Sequence, residues 1–314
     1  MKTLFLTEGG KKIGFGHITR CKALSQALNN LNPGAEIQFV IQGNGYAGEF
    51  FKSSNVSVFN WCEHKGRTLN LVKNSDVTVV DSYLAEKSLY NFISEAVSGQ
   101  LLMIDDYNRI EYPRGIVVNP SVGGNELDYP KKEGTRYLLG KDYIILREEF
   151  RDIPEKKINT EIKRVLVTFG GSEHGKDLQG KVVKLLESQF GFEVNVVDTC
   201  KKRIDAGSML KLMLDTDLCI SGGGQTLYEL AAVGVPTIAV CFAENQKLNL
   251  KSLRENLFIE NASWYNDGDL LLNIAESINV LQSHKERQKR KKSGNALVDG
   301  NGAIRIIKRS KLWE

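Results

Sequence analysis

The chain has 314 residues, 41% hydrophobic and 25% charged, ordinary proportions for a globular protein but more chain than one compact core usually serves. Two domains of roughly 150 residues each are the expectation. Forty-two basic residues against 38 acidic ones leave a formal charge of +4, too small to argue for nucleic acid or a membrane surface and equally suited to a small anionic ligand.

Along the chain, short β-branched runs alternate with segments of helical period, the pattern of βαβ units around a parallel sheet. Lys2 to Thr7 reads as the first strand, and its Leu4-Phe5-Leu6 core is far too short for a secretory leader. A glycine-bearing loop leads to a helix with apolar residues at Ile18, Cys21, Leu24, Ala27, Leu28 and Leu31, stopped by Asn32-Pro33-Gly34. Further strands are expected at Ile37 to Ile41, Val77 to Asp81, Leu101 to Ile104 and Ile116 to Asn119, with polar or turn residues at their ends lining a ligand-binding edge.

The polar stretch Arg151 to Lys163 reads as a linker between a domain over 1–150 and a second over 164–314, whose terminal helix crosses back. In the second half, strands at Arg164 to Phe169, Glu193 to Asp198, Asp217 to Ser221 and Thr237 to Phe242 alternate with helices near Lys176 to Gln189, Ser208 to Leu214, Gln225 to Val233 and Gln246 to Asn256. The order implies an α/β protein of two Rossmann-like, doubly wound domains with a cleft between them. The basic run His284 to Lys292 reads as a solvated helical face, with anion steering as the other reading. No run approaches the ~18 apolar residues of a membrane span. Five widely spaced cysteines without a C-x-x-C pair read as reduced thiols of a cytoplasmic protein. Oligomeric state is not legible.

Two loops carry chemistry. Gly14-Phe15-Gly16-His17 lies between the first strand and first helix, where glycines let backbone amides approach a phosphate or sugar; a simple turn reads equally well from the glycines alone. His17 adds a titratable group in the first helical turn, and Arg20 shares its face. Ser221-Gly222-Gly223-Gly224-Gln225-Thr226 follows an apolar strand and opens a helix, a placement that suits a diphosphate at a helix N-terminus; Glu229, one turn on, suits a ribose diol. Gly170-Gly171-Ser172 is a third loop of the same kind, close to His174. Asp215-Thr216-Asp217 precedes a strand and reads as a turn, and Asp105-Asp106, better placed after a strand but without a third clustered ligand, reads as a sugar or loop contact rather than a metal site. No cofactor is expected.

The segment Ile13 to Arg20, the strand end Asp81-Ser82-Tyr83, Leu146 to Phe150, the glycine loops, Glu244-Asn245-Gln246 and the tail Asp299 to Arg305 resemble the UDP-sugar hydrolases of pseudaminic acid biosynthesis. That family is similar to the bacterial lipid II glycosyltransferase and has the GT-B fold. The resemblance implies metal-independent hydrolysis of UDP-2,4-diacetamido-2,4,6-trideoxy-β-L-altrose to free sugar and UDP. By position it implies that His17 is catalytic, that Tyr83 faces the sugar, that Asn245 lies near the reacting centre and that Glu229 with Gly222, Gly223 and Gly224 grips the nucleotide; Gly14, Gly16, Arg20 and Gln246 are further expected substrate contacts, and Gly171, Ser172, Gln225 and Thr226 further expected nucleotide contacts. The chain reads Thr7-Glu8-Gly9-Gly10 where the family usually has an acid, small residues and serine, and Gly222 to Gly224 where serines or alanines are frequent. A glycosyltransferase using the same donor is the alternative activity.

Overall fold

The computed structural model describes residues 1–10, 13–43, 55–170, 173–197 and 204–312. They divide into two compact units, one formed by Met1–Glu148 with Asn301–Glu314, the other by Glu149–Gly300.

The first unit is built on a parallel sheet of β1 (Lys2–Gly9), β2 (Glu36–Gly43), β3 (Asn55–Val58), β4 (Val77–Asp81), β5 (Gln100–Ile104), β6 (Gly115–Asn119) and β7 (Thr135–Leu139). Its spatial order is β3-β2-β1-β4-β5-β6-β7. Both faces are covered, which is why these strands read as continuous apolar runs. The two-residue period assigns Phe5, Phe39, Val79, Leu102 and Val118 to the face under α1 (Gly16–Leu31). Leu4, Leu6, Val40, Val80 and Met103 go to the opposite face, with Trp61 and the helices α2 (Lys65–Lys73) and α3 (Lys87–Ala96). The short outer strands β3 and β7 carry mostly half-buried residues, a pattern too weak to have been read from the sequence.

The second unit has a parallel sheet of β8 (Arg164–Thr168), β9 (Glu193–Val196), β10 (Leu218–Gly222), β11 (Thr237–Cys241) and β12 (Ile259–Trp264), in the order β12-β11-β10-β8-β9. Helices α4 (Glu173–Phe190), α5 (Ala206–Asp215), α6 (Thr226–Val233), α7 (Lys247–Glu255), α8 (Leu270–Leu281) and α9 (His284–Leu297) surround it. Leu178, Val182 and Leu186 of α4 and Ile274, Ile278 and Leu281 of α8 close one face over Val165, Val167, Ile220 and Val240.

Two polar segments behave differently from their expected roles. Residues 151–163, expected as a linker, pack on the second unit. Lys156 is buried and its ammonium donates to the carbonyls of Met213 (3.2 Å) and Leu214 (2.7 Å) at the end of α5. Asp217 accepts from the amides of Lys163 and Arg164 (both 2.9 Å) and from Asn159 Nδ2 (2.7 Å), so the second acid of the Asp215-Thr216-Asp217 turn anchors backbone. The basic run on α9 is not wholly solvated. Arg287 is fully buried and donates to the carbonyls of Leu281, Gln282, Asn159 and Thr160, while Arg290 pairs with Glu260. Polar composition hid these contacts because each donor is consumed by a backbone carbonyl or a single acid. The four cysteines among the described residues, Cys21, Cys62, Cys219 and Cys241, are free thiols, and burial pushes Cys62 up to about 12.

The tail forms α10 (Gly302–Ser310), which lays Ala303, Ile306 and Ile307 against α1 in the core of the first unit. The glycines of Asp299-Gly300-Asn301-Gly302 have separate reasons. Gly300 has φ +76° and sits where a Cβ would stand 2.5 Å from the Phe150 carbonyl oxygen; a Cβ on Gly302 would stand 2.0 Å from that of Ile144. The sequence motifs 146–150 and 299–305 are thus parts of one packing arrangement of backbone on backbone. Replacing Gly302 with alanine gains helix propensity but drives a methyl into an immovable peptide, so Gly302→Ala is expected to destabilise the protein by about 2–4 kcal/mol in denaturant unfolding.

Candidate active site

In doubly wound sheets ligands bind at the carboxyl ends of the strands where strand order reverses. That point lies between β1 and β4 in the first unit, and the residues there are Glu8 near the end of β1 and Asp81 closing β4. Gly14, at φ +80°, exchanges backbone hydrogen bonds with Gly10 (3.0 and 2.7 Å) and brings the chain back to the sheet, where α1 starts at Gly16. His17 therefore falls in the first turn of α1, and Arg20 one turn later on the same side.

Both side chains converge on one carboxylate. Asp81, fully buried, takes His17 Nδ1 on Oδ1 at 2.6 Å and a two-pronged contact from Arg20, Nε to Oδ2 and Nη2 to Oδ1, both 2.6 Å. Burial by itself would raise Asp81, but the Arg20 guanidinium and His17 outweigh it and hold the carboxyl well below the usual carboxylate range. A carboxylate only accepts, so the 2.6 Å contact requires the proton to lie on Nδ1 and leaves Nε2 as the basic nitrogen. His17 is 5% exposed. Arg20 extends Nη1 to Asp106 at 2.7 Å, and burial, which disfavours its charge, is overcome by Asp106 and Asp81.

Tyr83 closes the other side. Its ring meets His17 edge to face with centroids 4.5 Å apart, and its hydroxyl donates to Asp106. Its amide donates to Glu8 Oε1 at 2.8 Å, and Glu8 Oε2 accepts from the Ser82 hydroxyl. Asp105 accepts from the amide of Asn108 (2.7 Å), from Tyr112 (3.0 Å) and from Tyr129, so this acid builds the loop rather than the pocket wall.

The second unit has its own reversal point, between β8 and β10, flanked by Gly170 (φ +71°) and the Gly222–Gly224 loop. Gly224 is exposed with open space where a Cβ would be, and no side chain caps α6 at Gln225. Thr226 begins the helix and Glu229 lies in its first turn, 3% exposed. Gly223 has a specific steric reason: a Cβ there would come 2.7 Å from Gln246 Oε1, which accepts from the Phe242 amide at 2.9 Å. Asn245 occupies the same short turn between β11 and α7 as Gln246. The expected nucleotide contacts Gly171 and Ser172 lie outside the described residues.

The structure thus gathers Gly14, Gly16, His17, Arg20 and Tyr83 in one unit, and Gly222, Gly223, Gly224, Gln225, Thr226, Glu229, Asn245 and Gln246 in the other. Sequence reasoning offered Asp106 only as part of a pair making a sugar or loop contact, and gave Asp81 and Glu8 no role in the site. Asp81 had a signal, an acid closing an apolar strand of a parallel sheet, whereas Asp106 and Glu8 gain meaning only from partners far away in sequence.

Comparison with known proteins agrees with this architecture. Residues 206–309 match the C-terminal domain of glycosyltransferase family 28. An uncharacterized protein of Methanocaldococcus jannaschii is 26% identical over 304 residues, covering 83% of this chain and 62% of that one. The pseudaminic acid cytidylyltransferase and UDP-2,4-diacetamido-2,4,6-trideoxy-β-L-altropyranose hydrolase of Helicobacter pylori is 28% identical over 262 residues, 79% of this chain and 44% of that protein. The chain therefore spans less than two thirds of either relative. Acinetobacter baumannii MurG superposes with a TM-score of 0.65 at 12% identity, over 99% of this chain and 100% of that one. The fold is GT-B. The resemblance to the UDP-sugar hydrolases of pseudaminic acid biosynthesis holds.

Because Asp81 is depressed in the fold, its pairing contributes its full stability above the unfolded value near ~4 and loses it as the pH falls through the lower folded value. Asp81→Asn is expected to cost about 3–5 kcal/mol at pH 7. In urea unfolding at several pH values, the gap to the unsubstituted protein should shrink steadily below pH ~4.

Proposed function

We propose that the protein hydrolyses a UDP-linked 2,4-diacetamido-2,4,6-trideoxy sugar at its anomeric carbon, releasing free sugar and UDP, as a step of nonulosonic acid biosynthesis. The observation that carries the reading is the imidazole of His17, whose Nδ1–H is committed to a buried carboxylate and whose Nε2 is left as a base. In this reaction Nε2 takes a proton from the nucleophile as it attacks, and Asp81 stabilises the imidazolium that forms. Tyr83, fixed through Asp106, is assigned to the sugar. General-base help of this kind is worth roughly a hundred- to ten-thousand-fold. The rest is assigned to leaving-group stabilisation: charge develops on the departing diphosphate oxygen, and the Gly222–Gly224 loop with the α6 N-terminus supplies amides and a helix dipole for it. Glu229 is assigned to the ribose, and no step calls for a metal.

The decisive assay offers a panel of UDP-sugars without acceptor and follows UDP. Release from the 2,4-diacetamido donor alone establishes the hydrolase; release only after adding a hydroxyl acceptor establishes a glycosyltransferase instead. His17→Asn is expected to lower turnover at least ~100-fold while calorimetric UDP affinity stays nearly constant. Glu229→Gln should do the reverse, weakening UDP about tenfold through loss of a charged acceptor.

A further inference from the structure

Glu8 has no role in the reaction as written above, yet it is fully buried and aimed at the base. Its Oε1 lies 3.8 Å from His17 Nε2. That is too long for a hydrogen bond and close for two groups that both accept: in the neutral imidazole that a general base requires, Nδ1–H is given to Asp81 and Nε2 carries a lone pair, and a carboxylate has no proton to give. On its far side Glu8 accepts from the Ser82 hydroxyl, the Tyr83 amide at 2.8 Å and the Leu84 amide at 3.4 Å, which fixes the carboxylate in place with Oε1 facing the imidazole.

Two acceptors facing each other are satisfied by a molecule that donates twice from one atom. With hydrogen bonds of ~2.8 Å, an oxygen bridging the 3.8 Å gap holds its two acceptors at roughly 85°, within reach of the two O–H directions of water. A sugar or lipid hydroxyl has one O–H and leaves one acceptor buried and unmatched, which costs about 1–3 kcal/mol. We propose that Glu8 is a second catalytic group, that it and His17 together hold the nucleophilic water, and that this pair of facing acceptors makes the site select water over an alcohol. The inference rests on the hydrolase reading. In the step, the water oxygen forms the bond to the anomeric carbon and the bond from that carbon to the diphosphate oxygen breaks, its electron pair leaving with UDP. One water proton goes to His17 Nε2; the other stays on the new hydroxyl, hydrogen-bonded to Glu8.

The test measures UDP release and product partition with the donor that the unsubstituted protein turns over, in buffer containing a fixed fraction of methanol. Glu8→Gln keeps the shape and, with its carbonyl oxygen held by the Tyr83 amide, puts a neutral acceptor in place of a charged one. It is expected to lower kcat about 10- to 100-fold with KM little changed, and to raise the ratio of methyl glycoside to free sugar ~5-fold or more, because water's second acceptor is weakened. A purely structural role would lower the rate without moving that ratio, so an unchanged ratio overturns the proposal, as does an unchanged kcat. Should the glutamine variant fail to fold, Glu8→Asp keeps the charge and withdraws the oxygen; its ratio must also rise, and an unchanged ratio there overturns the proposal equally. If the unsubstituted protein releases no UDP without an acceptor, the hydrolase reading itself falls and Glu8's role falls with it. If it does release UDP and only the variants behave normally, the hydrolase stands and Glu8 is excluded.

Discussion

A buried carboxylate must be surrounded by donors or give up its charge, and Asp81 sets the plan of the carboxyl-terminal sheet edge of the first unit by meeting that demand. Its position at the end of β4, beside the end of β1, is fixed by the sheet. The spacing of three residues between His17 and Arg20 then follows, because only side chains on one helical face can reach the same acid. Arg20 answers a second demand: with two hydrogen bonds already on Asp81, its remaining nitrogen neutralises Asp106, which in turn orients Tyr83 against the imidazole. Removing the central acid would leave an arginine and a histidine buried with only Asp106 and Glu8 to answer them.

Both sheets offer a ligand the same kind of place by different strand orders. In the first, β1 and β4 diverge to opposite sides; in the second, β8 and β10 do. What stands at those places differs in chemistry. The first is dense with charged side chains held by one another, whereas the second is mostly bare backbone, a glycine loop ahead of an uncapped helix.

Much of this was legible in the chain. The strands of both sheet centres, buried on two faces, announced themselves as apolar runs, and the glycines at Gly14 and Gly222–Gly224 marked the turns that bring helices to the ligand edge. The outer strands β3 and β7 and the β12–α8 segment were not foreseen, because half-buried strands carry a mixed pattern. The polarity of residues 151–163 and of α9 suggested solvent, since composition does not reveal that Arg287 will meet four carbonyls. Within the site, His17 was visible from its loop; the grouping of its acids was not, because Glu8, Asp81 and Asp106 come from three separate strand ends and acquire their function from proximity alone.

The placement of α10 has a consequence for how the molecule comes to exist. Residues 301–312 supply core to the unit whose other residues precede position 149, so everything needed for the second unit leaves the ribosome before the last helix of the first. Until that helix arrives, the core around α1 lacks Ala303, Ile306 and Ile307. Synthesis from N- to C-terminus therefore completes the later-encoded half first, and the earlier-encoded half gains its final packing only once residues 301–312 have been made.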